Sequence, residues 1–494
     1  MLPTRNRRRV AAAALVLAAV LVPRAPAAAT RVAEPPVAVD RGCPTERAQD
    51  GEVRLVFLGD SGYGEGSSEW GAQGQDAVAR QLAKLKLEPD LVFFLGDNVY
   101  WRGSPKLYKA RFDDVYDPLI RGCKAHVALG NHDVKGCRAV LESKGWESCL
   151  ADLRSATEMD HKARYLRQGL KEDEAAAKAG IAAESAGKLT EEAIQTQRGN
   201  CLPGDATAYE DEVAGRTTCN AAAALAHTQF GFGSVEKGTP PSPLRQRYYS
   251  IPWPLARVTP PAGAEEPAAP ATRPLVDVMV LDSNTLDVAG GLLGERQGRR
   301  REDRLQLLWF RNAMEQWPPA PGETHRIWKI AAMHHPPRTP RACICRLFGR
   351  CMGGHGDQPG LVAQLAEALE GRDPPDLVFA GHNHIYARSL PLDRSGRPET
   401  TGTGGVRYFV TGGGGGPLYA IEKMDPRFPV SFHTYHFVYL RLTADAAFFW
   451  TIDAGGKVRD SGCFEKGSNV DHPLAGSFSY SNSLPPRCSA AAGS

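Results

Sequence analysis

The chain has 494 residues, more than one minimal domain needs, and its 42% hydrophobic and 23% charged composition is that of an ordinary globular protein with a sizeable core. The formal charge is +3, and it falls to −2 without the first 29 residues, which carry five arginines and no acid. A nearly neutral chain excludes an electrostatic case for nucleic acid or an anionic membrane as the main partner.

The N-terminus reads as a secretory signal peptide over 1–29. Arg5 to Arg9 supply a basic region, Val10 to Val22 an apolar run, and Ala25-Pro26-Ala27-Ala28-Ala29 small residues for cleavage. The 13 apolar residues from Val10 to Val22 fall short of a membrane span, which needs roughly 20. The arginines also permit a twin-arginine signal. The expected location is secreted or periplasmic, without stable membrane association after cleavage. All 11 cysteines lie beyond the signal, so most should pair as disulfides and one should remain free or pair between chains.

Residues 30–50 read as a linker, and the catalytic-type domain is expected over 51–464. VRLVFLGD (53–60), DLVFFLGD (90–97) and AHVALGNHD (125–133) read as buried strands that end in Gly-Asp or Gly-Asn-His, with a helix at 75–86 between the first two. Residues 138–245 break the rhythm and read as an insertion, largely helical around the Ala/Glu/Lys-rich 171–197. Cys201 and Cys219 are expected to pair within it. Residues 259–274 are Pro/Ala-rich and read as a loop.

The rhythm returns with a strand at 276–283, a helix at 303–317, a strand at 326–335, a helix at 360–370 and a strand at 376–384. Stretches 406–416 and 436–453 read as closing strands, and 465–494 as a weakly specified tail.

The chemistry-bearing residues follow strands. Asp60 follows the first, Asp97 and Tyr100 the second, Asn131 and His132 the third, His334 a later one, and His382 and His384 the last. Loops at the carboxyl ends of strands in layered α/β folds converge on one crevice. The preceding glycines, Gly59, Gly96, Gly130 and Gly381, are expected to turn the backbone there. Two carboxylates, an amide, a phenol and three imidazoles exceed one tetrahedral zinc and suit two metals, among iron, zinc and manganese. A metal pair about 3.5–4 Å apart clamps an in-line displacement at phosphorus.

GDSG (59–62), GDNVY (96–100), GNHD (130–133), MHHPP (333–337) and GHNH (381–384) resemble the calcineurin-like metallophosphoesterases, and most of all the purple acid phosphatases of the tartrate-resistant type. The resemblance covers about 53–140 and 245–460, and the 138–245 insertion departs from it. It implies an α/β fold, a four-layer αββα sandwich of the metallophosphoesterase type. It implies two metal ions, Fe(III) plus Fe(II), Zn or Mn. Asp60, Asp97, Tyr100 and His384 resemble the ferric ligands, and Asp97 the bridge to a divalent ion held with Asn131, His334 and His382. His334 rather than His335 takes that place because the family pattern is His-x-Pro. His132 resembles a phosphate contact, and His355 a histidine outside the ligand set that assists the leaving group or holds phosphate, with His335 as the alternative. The implied reaction is hydrolysis of phosphomonoesters by a metal-bound hydroxide.

Three further expectations compete. Cys343, Cys345, Cys351 and His355 could form a zinc site, against disulfides in an exported protein. An Mn/Zn phosphodiesterase of the same superfamily would not need Tyr100. A binding protein with a decayed site would lack a ligand, and none is missing.

Overall fold

The computed structural model describes residues 51–63, 72–100, 111–112, 114–121, 124–133, 171–178, 180, 248–253, 274–288, 304–318, 327–343, 345–347, 350–352, 355–402, 404–474, 479–485 and 487–488. In chain order the first elements are β1 (Val53–Leu58), α1 (Ala72–Leu82), β2 (Leu91–Leu95), α2 (Asp114–Arg121), β3 (Ala125–Ala128), β4 (Tyr249–Trp253) and β5 (Val276–Val280). Then come α3 (Arg304–Glu315), β6 (Trp328–Met333), the short β7 (Ala342–Cys343), β8 (Cys345–Leu347) and β9 (Arg350–Met352), and α4 (Pro359–Ala368). The last are β10 (Leu377–Ala380), β11 (Tyr386–Arg388), β12 (Arg407–Thr411), β13 (Ala420–Ile421), β14 (Val430–Phe432), β15 (His436–Leu442), β16 (Ala446–Asp453) and β17 (Val458–Glu465).

Two large sheets result, a six-stranded one ordered β17-β16-β15-β1-β2-β3 and a seven-stranded one ordered β14-β11-β12-β10-β6-β5-β4. β1, β2 and β3 run parallel, and so do β5, β6, β10 and β12. Their apolar runs are buried on both faces, which is why they read as continuous rather than alternating.

Three clusters stack as layers. Leu55, Phe57 and Phe93 of one sheet meet Ile330, Phe379 and Phe409 of the other in the middle. Val56, Val92 and Phe94 face α1 through Val78 and Leu82. Met279, Ala331 and Val378 face α3 and α4 through Phe310, Ala313 and Leu361. This is the αββα sandwich. Phe57 links the sheets, its ring 5.2 Å from Phe93 and 3.8 Å from Phe379.

Several elements differ from the sequence reading. α1 runs Ala72–Leu82 rather than 75–86, and α3 and α4 also end earlier than expected. Stretch 436–453 is a hairpin, turned where Thr443 N–H donates to Ala446 O (2.9 Å). β4 was not anticipated, because Pro252 argues against a strand. It is the edge of its sheet, where a missing N–H costs least. β17 also departs from the sequence reading, since exposed Val458 and Arg459 precede its buried Gly462, Cys463 and Phe464 and leave no apolar run to mark a strand.

Part of the tail is tied down. Cys488 is buried and bonded to Cys463, His472 pairs with the Cys463 backbone, and Asp471 meets Arg388 and Arg407 at 2.7 and 2.8 Å. Cys343 is disulfide-bonded, which accords with the disulfide reading of its loop rather than the zinc reading. Residues 172–178 are helical; Cys201 and Cys219 lie outside the described residues. Among the described residues no helix is long and apolar enough to cross a membrane.

Phe57→Ala should lower the unfolding free energy by about 3–5 kcal/mol, the usual cost of emptying an aromatic site in a core. Urea denaturation measures it; a loss below about 1 kcal/mol would contradict the sheet-to-sheet packing.

Candidate metal centre

β1, β2 and β3 end side by side in one sheet, and β6, β10 and β12 do so in the other. Backbone hydrogen bonds sew these ends together. Gly59 N–H donates to Thr411 O (2.8 Å), Asp60 N–H to Gly96 O (3.0 Å) and Gly381 N–H to His334 O (3.0 Å). The glycines permit this seam. A Cβ on Gly59 would stand 2.9 Å from Gly381 Cα, and one on Gly130 2.0 Å from Asp97 N. Of the four expected turn glycines, only Gly96 has positive φ (84°). The other left-handed turns at the site fall on the candidate ligands Asp60 (φ 60°), Asp97 (52°) and His382 (65°). Such backbone is rare for residues with a Cβ and concentrates at working sites.

All seven expected ligand residues come together, in two groups. In the first, the buried Tyr100 hydroxyl donates to Asp60 Oδ1 (3.0 Å) and lies 2.7 Å from His384 Nε2. His384 Nε2 is 3.1 Å from Asp60 Oδ1, and its Nδ1 is 2.6 Å from Pro417 O. The Nδ1–H therefore goes to that carbonyl, and the Nε2 lone pair points inward.

In the second group, His334 Nδ1 donates to Leu95 O (2.9 Å), which aims its Nε2 lone pair at Asn131 Oδ1 (2.9 Å) and His382 Nδ1 (3.1 Å). Asn131 Oδ1 and His382 Nδ1 are 3.1 Å apart. His382 Nε2 is 3.1 Å from His355 Nδ1, so the second imidazole can take the His382 proton and leave Nδ1 free. Three lone-pair-bearing atoms meeting at one point are a set that could hold a cation.

Asp97 stands between the groups. Its Oδ2 is 3.5 Å from His334 Nε2, and a carboxylate oxygen lies within 4.8 Å of ligand atoms of Asp60 and His384. Its Oδ1 accepts the His132 N–H (2.7 Å). The electrostatics match this crowding. Burial raises the Asp97 pKa, the His334 ring opposes, and the Asp60 charge raises it further. Burial and then Asp60 push the Tyr100 phenol well above its ordinary value. Burial pulls His384 down, but the Asp60 charge and hydrogen bond outweigh it and raise the pKa. Burial and then the neighbouring histidines hold His382 well below its ordinary value. The half-buried His132 tilts over Tyr100 with ring centres 4.5 Å apart.

Sequence reasoning gave no role to three supports. Asp133, the last letter of GNHD, accepts from Gly130 N (2.8 Å), Asn98 N (2.9 Å), Asn98 Nδ2 (2.9 Å) and Val99 N (3.1 Å), so one buried carboxylate locks the loops after β2 and β3 together. Tyr419 stacks on His384, with ring centres 4.1 Å apart. The loop Gly412–Gly416, expected to be strand, packs on the site, with Gly416 N–H on Asp60 O (2.7 Å). Asp133 carried a signal in its motif. The other two are remote in sequence and carried none.

Asp133→Asn replaces acceptor capacity with an amide N–H₂ facing N–H donors. Metal affinity should fall about 10–100-fold, as for other supports behind metal ligands. Calorimetric metal titration reads this, and unchanged affinity would contradict the locking role.

Residues 53–207 match the family described as calcineurin-like phosphoesterase. No curated protein matches the chain. A purple acid phosphatase from yellow lupin (Lupinus luteus) aligns at 15% identity and a TM-score of 0.42, covering 85% of this chain and 55% of that one. The chain thus spans little more than half the lupin protein's length. GAP50, the anchor in the inner membrane complex of Plasmodium, aligns at 11% identity and TM-score 0.40, covering 83% of this chain and 87% of its own. PhoD aligns at 12% and 0.42, covering 89% and 74%.

Proposed function

We propose that this chain, which carries a calcineurin-like phosphoesterase domain and is a hydrolase, is an exported phosphatase that hydrolyses phosphomonoesters with two metal ions. Asp60, Tyr100 and His384 would hold one ion, Fe(III) by the chemistry of a phenol donor. Asn131, His334 and His382 would hold the other, Fe(II), Zn or Mn, and Asp97 would serve both. Bound ions supply positive charge that polarises a phosphoryl group and lowers the pKa of water. The observation that carries the reading is the Tyr100 oxygen, 2.7 Å from His384 Nε2 and 3.0 Å from Asp60 Oδ1.

The chain's own groups do the rest. Asp97 fixes the His132 backbone, which sets that ring over Tyr100, where it can meet a phosphoryl oxygen. Water attacks phosphorus, the ester P–O bond breaks, and the proton that the water gives up ends on the departing oxygen, which His355 would stabilise as a hydrogen-bond donor. His355 Nδ1 faces His382, which leaves Nε2 as its proton-bearing nitrogen. Acid help of this kind is worth about 10²–10⁴ in rate. The products are an alcohol and inorganic phosphate. The signal-like N-terminus and the Cys463–Cys488 bond support export to an oxidising compartment.

The wild type should be coloured, contain iron, and cleave a chromogenic monoester far faster than the matching diester. A phenol normally ionises near pH 10, but a trivalent ion should deprotonate Tyr100 and give a visible charge-transfer band. Tyr100→Phe should bleach that band and weaken iron retention while the fold stays intact. A colourless wild type with full iron would contradict the ligand role. A preference for diesters would favour the Mn/Zn phosphodiesterase reading.

A further inference from the structure

The turn after β5 is built rigidly. Asp282 accepts from Asn284 N–H (3.1 Å) and donates its own N–H to Gln306 of α3 (2.7 Å), and Asn284 Nδ2 donates to Leu129 O (3.0 Å). Between them sits Ser283, buried, whose Oγ accepts the His335 backbone N–H (3.0 Å). The same Oγ is 2.9 Å from His335 Nδ1. A hydroxyl whose lone pair already takes the amide has one proton to give, and the imidazole Nδ1 is its partner here. The proton of the neutral His335 ring is then on Nε2. No described residue pairs with that nitrogen. The ring lies 4.4 Å from the His382 ring and 4.9 Å from that of His334, and a nitrogen of each of the three rings falls within 4.8 Å of the others. A protonated nitrogen cannot ligate a metal. It can donate to an anion bound beside one.

We propose that His335 is a further substrate-contacting residue, presenting Nε2–H as a fixed donor to a phosphoryl oxygen beside His334 and His382, and that Ser283 locks it in that tautomer. The proposal rests on the phosphatase reading and adds a serine–histidine pair to it. It also separates the adjacent histidines of MHHPP: His334 turns a lone pair to the site, His335 a proton.

The test uses the metal-loaded full chain with inorganic phosphate as the probe. A hydrogen bond to a charged acceptor is worth enough that His335→Leu should weaken phosphate binding about tenfold or more. Ser283→Ala should weaken it in the same direction, and the double variant should be no weaker than His335→Leu alone, because the two residues act as one unit. His335→Gln, which keeps an N–H in nearly the same place, should bind within a few-fold of wild type. Metal content should stay unchanged in all variants, and histidine ¹⁵N spectra should show His335 protonated at Nε2. Metal loss in His335→Leu would make it a ligand and overturn the proposal, as would wild-type phosphate affinity in that variant, additive losses, or an Nδ1–H tautomer. A wild type that binds phosphate without cleaving monoesters would sink the phosphatase reading, while these binding comparisons would still decide the role of His335.

Discussion

Two buried carboxylates, Asp60 and Asp97, face each other at the meeting edge of two sheets, beside three imidazole lone pairs. Burying even one unpaired carboxylate is costly, and like charges in the same space raise each other further. The cost shows in Asp97, where burial raises the pKa, the His334 ring opposes and the Asp60 charge adds to the rise. Cations relieve it completely, because every donor then has a partner. The rest of the structure holds this arrangement in place.

Holding it requires stiffness from both sheets. The left-handed turns at Asp60, Asp97 and His382 cost about 1 kcal/mol or more each. They persist because the seam of backbone hydrogen bonds and the aromatic packing of Phe57, Phe93 and Phe379 leave the loops no freedom. The imidazoles are aimed from behind. Leu95 O orients His334, Pro417 O orients His384, and the Ser283 hydroxyl sits on His335. The two carbonyl contacts place the protons of His334 and His384 on Nδ1 and leave each Nε2 lone pair facing inward.

The strand-end motifs were legible because each is local: an apolar run, a glycine and a donor lie within a few residues of sequence. Parallel strands then bring them to one edge without further information. What stayed hidden depends on contacts far apart in the chain. Asp133 gathers donors from the loop after another strand, Tyr419 lies on a ring from β10's loop, and Ser283 reaches the loop after β6. Of the four glycines only Gly96 serves as the expected turn. Their value at Gly59, Gly130 and Gly381 is close approach, not conformational freedom. β17 and the anchored tail were missed because their hold is a disulfide and ion pairs rather than an apolar pattern.

If Asp97 serves both groups at once, the two metals stand or fall together. Elemental analysis of the purified wild type and of Asp97→Asn, in parallel with far-UV circular dichroism, tests this directly. Two metal equivalents in the wild type and loss of both in a folded variant are the expected result. A folded variant that keeps one or both ions would contradict a shared carboxylate at the centre of the site.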